Sequence, residues 1–162
     1  MDILIRKYQE HDLGAMTQIW NTVVAEANAF PQIEKLTLET AKEFFASQSY
    51  TGVAVAGETV LGLYILHPNN IGRCGHLANA SYAVKNGYRG CKIGEKLVRD
   101  CLTQGHKLGF KILQFNAVVC TNIAAIHLYE KLGFHCLGTV PKGFLLENGS
   151  YTDILLFYIE LD

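Results

Sequence analysis

The runs TGVAVA (51–56) and TVLGLYIL (59–66) are separated only by Gly57-Glu58. Two β-rich runs joined by two residues, the first a glycine able to take positive φ, can do little but fold back on each other as a hairpin. The chain must therefore build at least one antiparallel strand pair. The runs are almost wholly apolar, so the pair is expected to be covered on both faces.

The flanking patterns supply that cover. Residues 2 to 6 (DILIR) read as a first strand, and Leu13, Met16, Trp20, Val23 and Val24 recur at helical spacing behind Asp12. A turn at Ala29-Phe30-Pro31 leads to a second helix at about 38 to 48, with Thr37 as N-cap. After the hairpin, a polar loop precedes the strand HLANASYAV. Ile93, Leu97, Val98, Cys101, Leu102 and Leu108 then line one helix face, with Gly109 at its C-terminal cap. KILQFNAVV reads as a buried strand and TNIAAIHLYEKLGF as a short helix ending at Gly133. Runs at about 134 to 140 and 151 to 160 read as the last strands. The order β-α-α-β-β-β-α-β-α-β-β predicts an α/β fold: one domain over residues 1–162, a mixed sheet with helices on both faces, half antiparallel and half crossover.

Charge narrows the partners. Fourteen Lys and Arg against fifteen Asp and Glu leave a net charge of −1. No basic field is available for nucleic acid or an anionic membrane. The five cysteines, with no C-x-x-C pair, fit neither a disulfide framework nor a zinc module, and the six histidines include no H-x-x-x-H pair, so no metal is expected. The N-terminus lacks a signal-peptide pattern and no apolar window reaches a membrane span. The expectation is a reduced, cytoplasmic setting.

The segment Gly87-Tyr88-Arg89-Gly90-Cys91-Lys92-Ile93-Gly94-Glu95 follows a strand and opens a helix. First-turn N–H groups have no internal partner and carry partial positive charge, so such a turn can receive an anion, with Arg89 and Lys92 beside it. One charged hydrogen bond contributes about 1.5–3 kcal/mol, whereas a micromolar ligand needs about 8. Several amides must converge, and a pyrophosphate with a long tail suits them better than a lone phosphate. Neither a P-loop nor a dinucleotide fingerprint is present. Gly90 and Gly94 equally suit a tight turn with close helix packing, and the residues alone leave both readings open. Cys91, at the same helix start, reads as packing rather than as a nucleophile.

Arg89-Gly90-Cys91-Lys92-Ile93-Gly94 resembles motif A of the GNAT N-acetyltransferase superfamily, Arg or Gln, two residues, Gly, one residue, Gly or Ala, with Lys92 where the middle Gly is usual. Thr121 to Phe134 resembles the family's motif B, N-x-x-A-x-x-x-Y-x-x-x-G-F. The resemblance implies acetyl-CoA as co-substrate. Its pyrophosphate would rest on the amides of residues 89–94, and its pantetheine arm on backbone groups near Tyr82 and Val84. Asn122, Ala125 and Asn116 would complete the coenzyme site. Asn122 and Tyr129, seven apart, share a helix face about 10.5 Å apart along the axis.

The same resemblance makes Tyr129 the general acid that protonates the departing thiolate, its phenol being protonated at neutral pH. An oxyanion donor is expected at the N–H of Val84 or a neighbour. The base is open: Asn79 and Ser81 share a strand face but are not basic, while His76, Glu26, Glu34 and a relayed water remain. Asn79-Ala80-Ser81-Tyr82, with Phe115-Asn116 and Asn122, is similar to a branch that acetylates small amino acids and proline analogues such as azetidine-2-carboxylate, so Asn79, Ser81 and Glu26 are expected near the acceptor. A buried Asn79 satisfied by backbone would read the same way. The expected function is acetyl transfer to a small amine or amino acid. A non-catalytic acyl-CoA sensor and a protein-modifying acetyltransferase are the alternatives. The apolar final strands offer a surface for a homodimer.

Overall fold

The computed structural model describes all residues, Met1–Asp162. The predicted hairpin is present. Strands β2 (Tyr50–Ala56) and β3 (Thr59–Pro68) pair antiparallel from Tyr50↔Leu66 to Ala56↔Thr59, and Gly57 takes φ 60°. Strand β1 (Leu4–Lys7) pairs with β2, and β4 (Leu77–Val84) with β3. β5 (Ile112–Val119) lies parallel to β4, followed by β7 (Tyr151–Glu160) and, at the edge, β6 (His135–Leu145). The seven strands run β1-β2-β3-β4-β5-β7-β6. The antiparallel and crossover halves meet between β4 and β5.

Helices cover both faces, as the unbroken apolar strands require. On one face, α1 (Leu13–Glu26) and α2 (Leu38–Ala46) pack Met16, Trp20 and Phe45 against Val53, Leu63, Ile65 and Ala83. Trp20 anchors this layer, 1% exposed, with the Phe30 ring 4.4 Å and the Phe44 ring 5.1 Å away. Thr37 caps α2 by accepting the Thr40 N–H at 3.0 Å. Asn21 ties down the connecting loop: its amide donates to Leu36 O and its carbonyl accepts Leu36 N–H, both at 2.8 Å. On the other face, α3 (Ile93–Lys107) sets Ile93, Leu97, Val98 and Cys101 on Tyr64, Ala80, Leu113 and Phe115. The helix ends where expected, Gly109 taking φ 90°.

One boundary departs from the pattern. The strand expected at about 134 to 140 runs on through Pro141-Lys142-Gly143, and β6 ends only at Leu145. The chain absorbs the punctuation as an irregularity: register with β7 shifts between Val140 and Phe144, Lys142 takes φ 57°, and its N–H donates to Asp153 Oδ1 at 2.9 Å. A side chain from the neighbouring strand thus replaces the missing ladder bond. β6 is exposed along nearly all its length, including Leu137, Val140 and Leu145.

Candidate active site

β4 and β5 pair only at Leu77↔Ile112 and Ala78↔Leu113. Beyond that point β4 stays with β3 and β5 with β7, so the sheet opens as a V. Lys85 N–H donates to Leu61 O at 2.8 Å. Bonding direction alternates along an antiparallel strand, so the odd-numbered residues of β4 bond β3, and the N–H and C=O groups of Ala80, Tyr82 and Val84 turn toward the opening. The Ala80 N–H is taken by Asn79 Oδ1 at 2.8 Å. Those of Tyr82 and Val84 are left to the gap.

The gap widens into a cleft of about 720 Å³, a size usual for small-molecule sites. Its floor is Tyr82, Ala83 and Val84 from β4. One wall is the loop before α3 with the helix start, from Tyr88 to Gly94; the other is α4 (Ile123–Lys131), preceded by Thr121 and Asn122. Val23, Glu26, Asn28 and Ala29 close the α1 side.

The loop is built to present N–H groups. Gly87 and Gly90 take φ 89° and 87° with open space where a Cβ would stand, and Lys92 is left-handed at φ 61°. Through these reversals the N–H groups of Gly90, Lys92, Ile93, Gly94 and Glu95 find no carbonyl in the protein. Such a run of free donors at a helix start is suited to cradle an anion. Arg89 and Lys92 add charge at its rim.

On the facing wall, Asn122 caps α4 by accepting the Ala125 N–H at 3.3 Å. Two turns on, Tyr129 packs its ring on Phe115 (4.6 Å between centroids), Phe134 (5.3 Å) and Phe157 (5.8 Å). Its hydroxyl has no partner in the protein and is not sealed from the cleft. Burial pushes this phenol above its ordinary range, with the neighbouring Cys101 adding to the effect. It stays protonated across the physiological range. Cys101 itself is raised to about 12, chiefly by burial, and is no nucleophile.

Most expected site residues meet here: Tyr82 and Val84; Arg89, Gly90, Lys92 and Gly94; Asn122, Ala125 and Tyr129; and Glu26. Others lie elsewhere. Ile93 is a core side chain, 1% exposed, offering the cleft only its N–H, and the Cys91 side chain faces solvent. Asn116 does not line the cleft. β5 shifts register against β7 between Phe115 and Val118, and Asn116, in that irregularity, exchanges bonds with Asn69: its amide donates at 2.6 Å and its carbonyl accepts at 3.1 Å. Asn79 and Ser81 face the α1 and α2 side with Ala83, and Asn79 is occupied by the Ala80 N–H. His76 and Glu34 are exposed and outside the cleft.

Tyr88, Glu95, Asn28 and Leu128 also line the cleft, though the sequence reading assigns none of them a role in the site. Glu95 turns out to join the two walls, its carboxylate held by Arg99 and by Lys131 at 2.9 Å each. No group of three or more His, Cys, Asp or Glu side chains is placed to hold a metal, and no helix is long and apolar enough to cross a membrane.

Residues 16–134 match the model of the acetyltransferase (GNAT) family. The chain belongs to that family. N-acetyltransferase aca1 of Schizosaccharomyces pombe is 29% identical over 169 residues, covering 93% of this chain and 81% of the relative. Among solved structures, a GCN5-related N-acetyltransferase from Kribbella flavida is 32% identical with a TM-score of 0.90, covering 98% of both chains. A GNAT phosphinothricin acetyltransferase from Sinorhizobium meliloti, solved with acetyl-CoA, shares the fold at 19% identity and a TM-score of 0.91, covering 99% of this chain and 89% of the other. The GNAT motif A departure at Lys92 now has a structural meaning. It falls on the one residue of the loop that is left-handed without being glycine.

Proposed function

We propose that this GNAT enzyme transfers the acetyl group of acetyl-CoA to the amine of a small molecule or amino acid, with Tyr129 as general acid. One observation carries the reading: the free N–H groups of the 90–95 loop, the unpaired backbone groups of Tyr82 and Val84, and the Tyr129 hydroxyl all open on one cleft. The loop is the seat of the pyrophosphate, and the edge of β4 that of the amide-bearing pantetheine arm. Asn122 fixes the start of the helix that carries Tyr129.

In direct transfer the neutral amine attacks the thioester carbonyl, and the carbonyl oxygen takes negative charge. The Val84 N–H is the candidate donor to that oxyanion. Collapse of the intermediate expels the CoA sulfur, which takes its proton from Tyr129, while the proton shed by the attacking nitrogen is relayed through water and returns to the phenolate, so no net proton is lost. A buried phenol of raised pKa is a weak acid. The apolar, aromatic surroundings of Tyr129 also disfavour a bare thiolate, so transfer follows C–S cleavage closely. Glu26 is the cleft carboxylate nearest in role to an acceptor group: Glu95 is already held by two cations. The aca1 relative, named an N-acetyltransferase, supports the reaction class, and the phosphinothricin acetyltransferase neighbour supports a small acceptor.

The test is thiol release from acetyl-CoA with a panel of amino acids, alkyl amines and peptides. Turnover with at least one small amine is expected. CoA binding without turnover on any acceptor would sink the enzyme reading, and turnover confined to peptides would redirect it to protein modification.

A further inference from the structure

The cleft is bridged at its mouth. Arg89, on the loop before α3, sets Nη2 3.3 Å from Oε2 of Glu26, the last residue of α1. Both side chains line the cleft. Glu26 also borders a shallow hollow, open to solvent, with Asn28, Glu147 and Asn148, and no residue of the loop before α3 lines that hollow. It thus stands between the loop side and the open side. The other cleft carboxylate, Glu95, has two cations at 2.9 Å, whereas Glu26 has Arg89 alone, at a longer distance.

We propose that the Arg89–Glu26 pair is a coenzyme-sensitive bridge: the pyrophosphate draws Arg89 away and so frees the Glu26 carboxylate toward the open side of the cleft. This rests on the reading of the cleft as an acetyl-CoA site. The competition favours the coenzyme. Arg89 is 69% exposed, and such a pair shifts an equilibrium by no more than about fivefold. A pyrophosphate offers two charged groups to the same guanidinium, with geometry suited to paired N–H donors.

Freed of Arg89, Glu26 presents an uncompensated carboxylate beside Glu147, where a protonated amine is favoured and a carboxylate is not. By linkage, an amine that binds Glu26 also lowers the cost of taking Arg89 to the phosphates, so each substrate strengthens the other. The acceptor class implied is a cationic amine.

A double-mutant cycle on coenzyme affinity tests the bridge. CoA binding is measured by calorimetry at low salt for the unmodified chain, Glu26→Gln, Arg89→Gln and the double variant, with melting curves to show that all are folded. Glu26→Gln is expected to tighten CoA binding by about twofold to fivefold when Arg89 is present, and to change it by less than that when Arg89 is Gln. Equal tightening in both backgrounds would mean that Glu26 acts only through its long-range field, and it would overturn the bridge while leaving the coenzyme site intact. No tightening in either background also overturns it. Failure of the unmodified chain to bind CoA at all removes the coenzyme reading itself, and the bridge with it.

Discussion

The Tyr129 ring lies 4.6 Å from the ring of Phe115 at an interplanar angle of 43°, so the phenol is fixed by the aromatic core and its hydroxyl is left free for the cleft. The hydroxyl can then be removed without disturbing the packing. Tyr129→Phe is expected to lower kcat by about a hundredfold or more, the usual worth of a positioned acid. CoA affinity should stay within about twofold, and the melting temperature should hold. Steady-state kinetics beside calorimetry separates these effects, and an unchanged kcat would remove the assigned role.

Lys92 holds φ 61° and ψ 21° at the N-cap of α3. A side chain in that region costs about 1–2 kcal/mol; a glycine there relieves the strain, and its freer unfolded chain offsets only part of the gain. Lys92→Ala keeps the strain and loses the cation; Lys92→Gly loses both. Both are expected to weaken CoA binding about tenfold at low salt, and the glycine variant should melt above the alanine one. If glycine instead restored full affinity, close backbone approach rather than lysine charge would govern the phosphate seat.

The elements were legible because their periods are unambiguous: the 51–66 hairpin, the 93–108 helical stripe and the caps at Thr37, Gly109 and Gly133 all stand where their chemistry puts them. The cleft was legible through its loop and the α4 helix, where function depends on local sequence. What escaped depends on register. Asn116 reads as a polar group aimed at the cleft because it stands mid-strand in an otherwise apolar run, and at the irregularity after Phe115 it bonds to Asn69 instead. Asn79 reads equally as an acceptor ligand or as a side chain satisfied by backbone, and the separation of β4 from β5, which no local pattern signals, leaves the Ala80 N–H in need of the partner that Asn79 supplies. Neither event has a local signature. The Arg89–Glu26 and Glu95–Lys131 pairs join residues far apart in sequence, so only the fold could bring them together.

Two buried tyrosines facing each other across β3 and β4 should respond oppositely to loss of their hydroxyls. Tyr64 donates to Asp100 Oδ2 at 2.6 Å, whereas the Tyr82 hydroxyl is buried with the Cys101 thiol beside it and no hydrogen bond completed. An unsatisfied buried hydroxyl costs about 1–3 kcal/mol, and a bond to a charged group contributes about 1.5–3. Tyr82→Phe is therefore expected to raise the melting temperature by about 2–4 °C, and Tyr64→Phe to lower it by at least as much. A destabilised Tyr82→Phe would show that its hydroxyl has a partner in solution, a bound water or the thiol.

Asp12 is the buried charge that makes folding sensitive to acid. Its side chain is 2% exposed and accepts from Arg6 Nη1 at 2.7 Å, Arg6 Nη2 at 3.1 Å and the Gln9 N–H at 2.7 Å. Burial alone would push its pKa up, but the Arg6 and Gln9 hydrogen bonds outweigh it and hold the carboxyl below the ordinary value. A pKa lowered by folding gives stability that is complete above the unfolded value, near 3.9, and is lost as pH falls through the folded one. Asp12→Asn should cost about 2–3 kcal/mol at pH 7, since it leaves Arg6 without its counter-charge. In denaturant titrations the gap between the unmodified chain and Asp12→Asn should be constant from pH 7 to about 5 and close progressively below about 4. A gap that persists at pH 2 would mean that the contribution is shape and hydrogen bonding rather than charge.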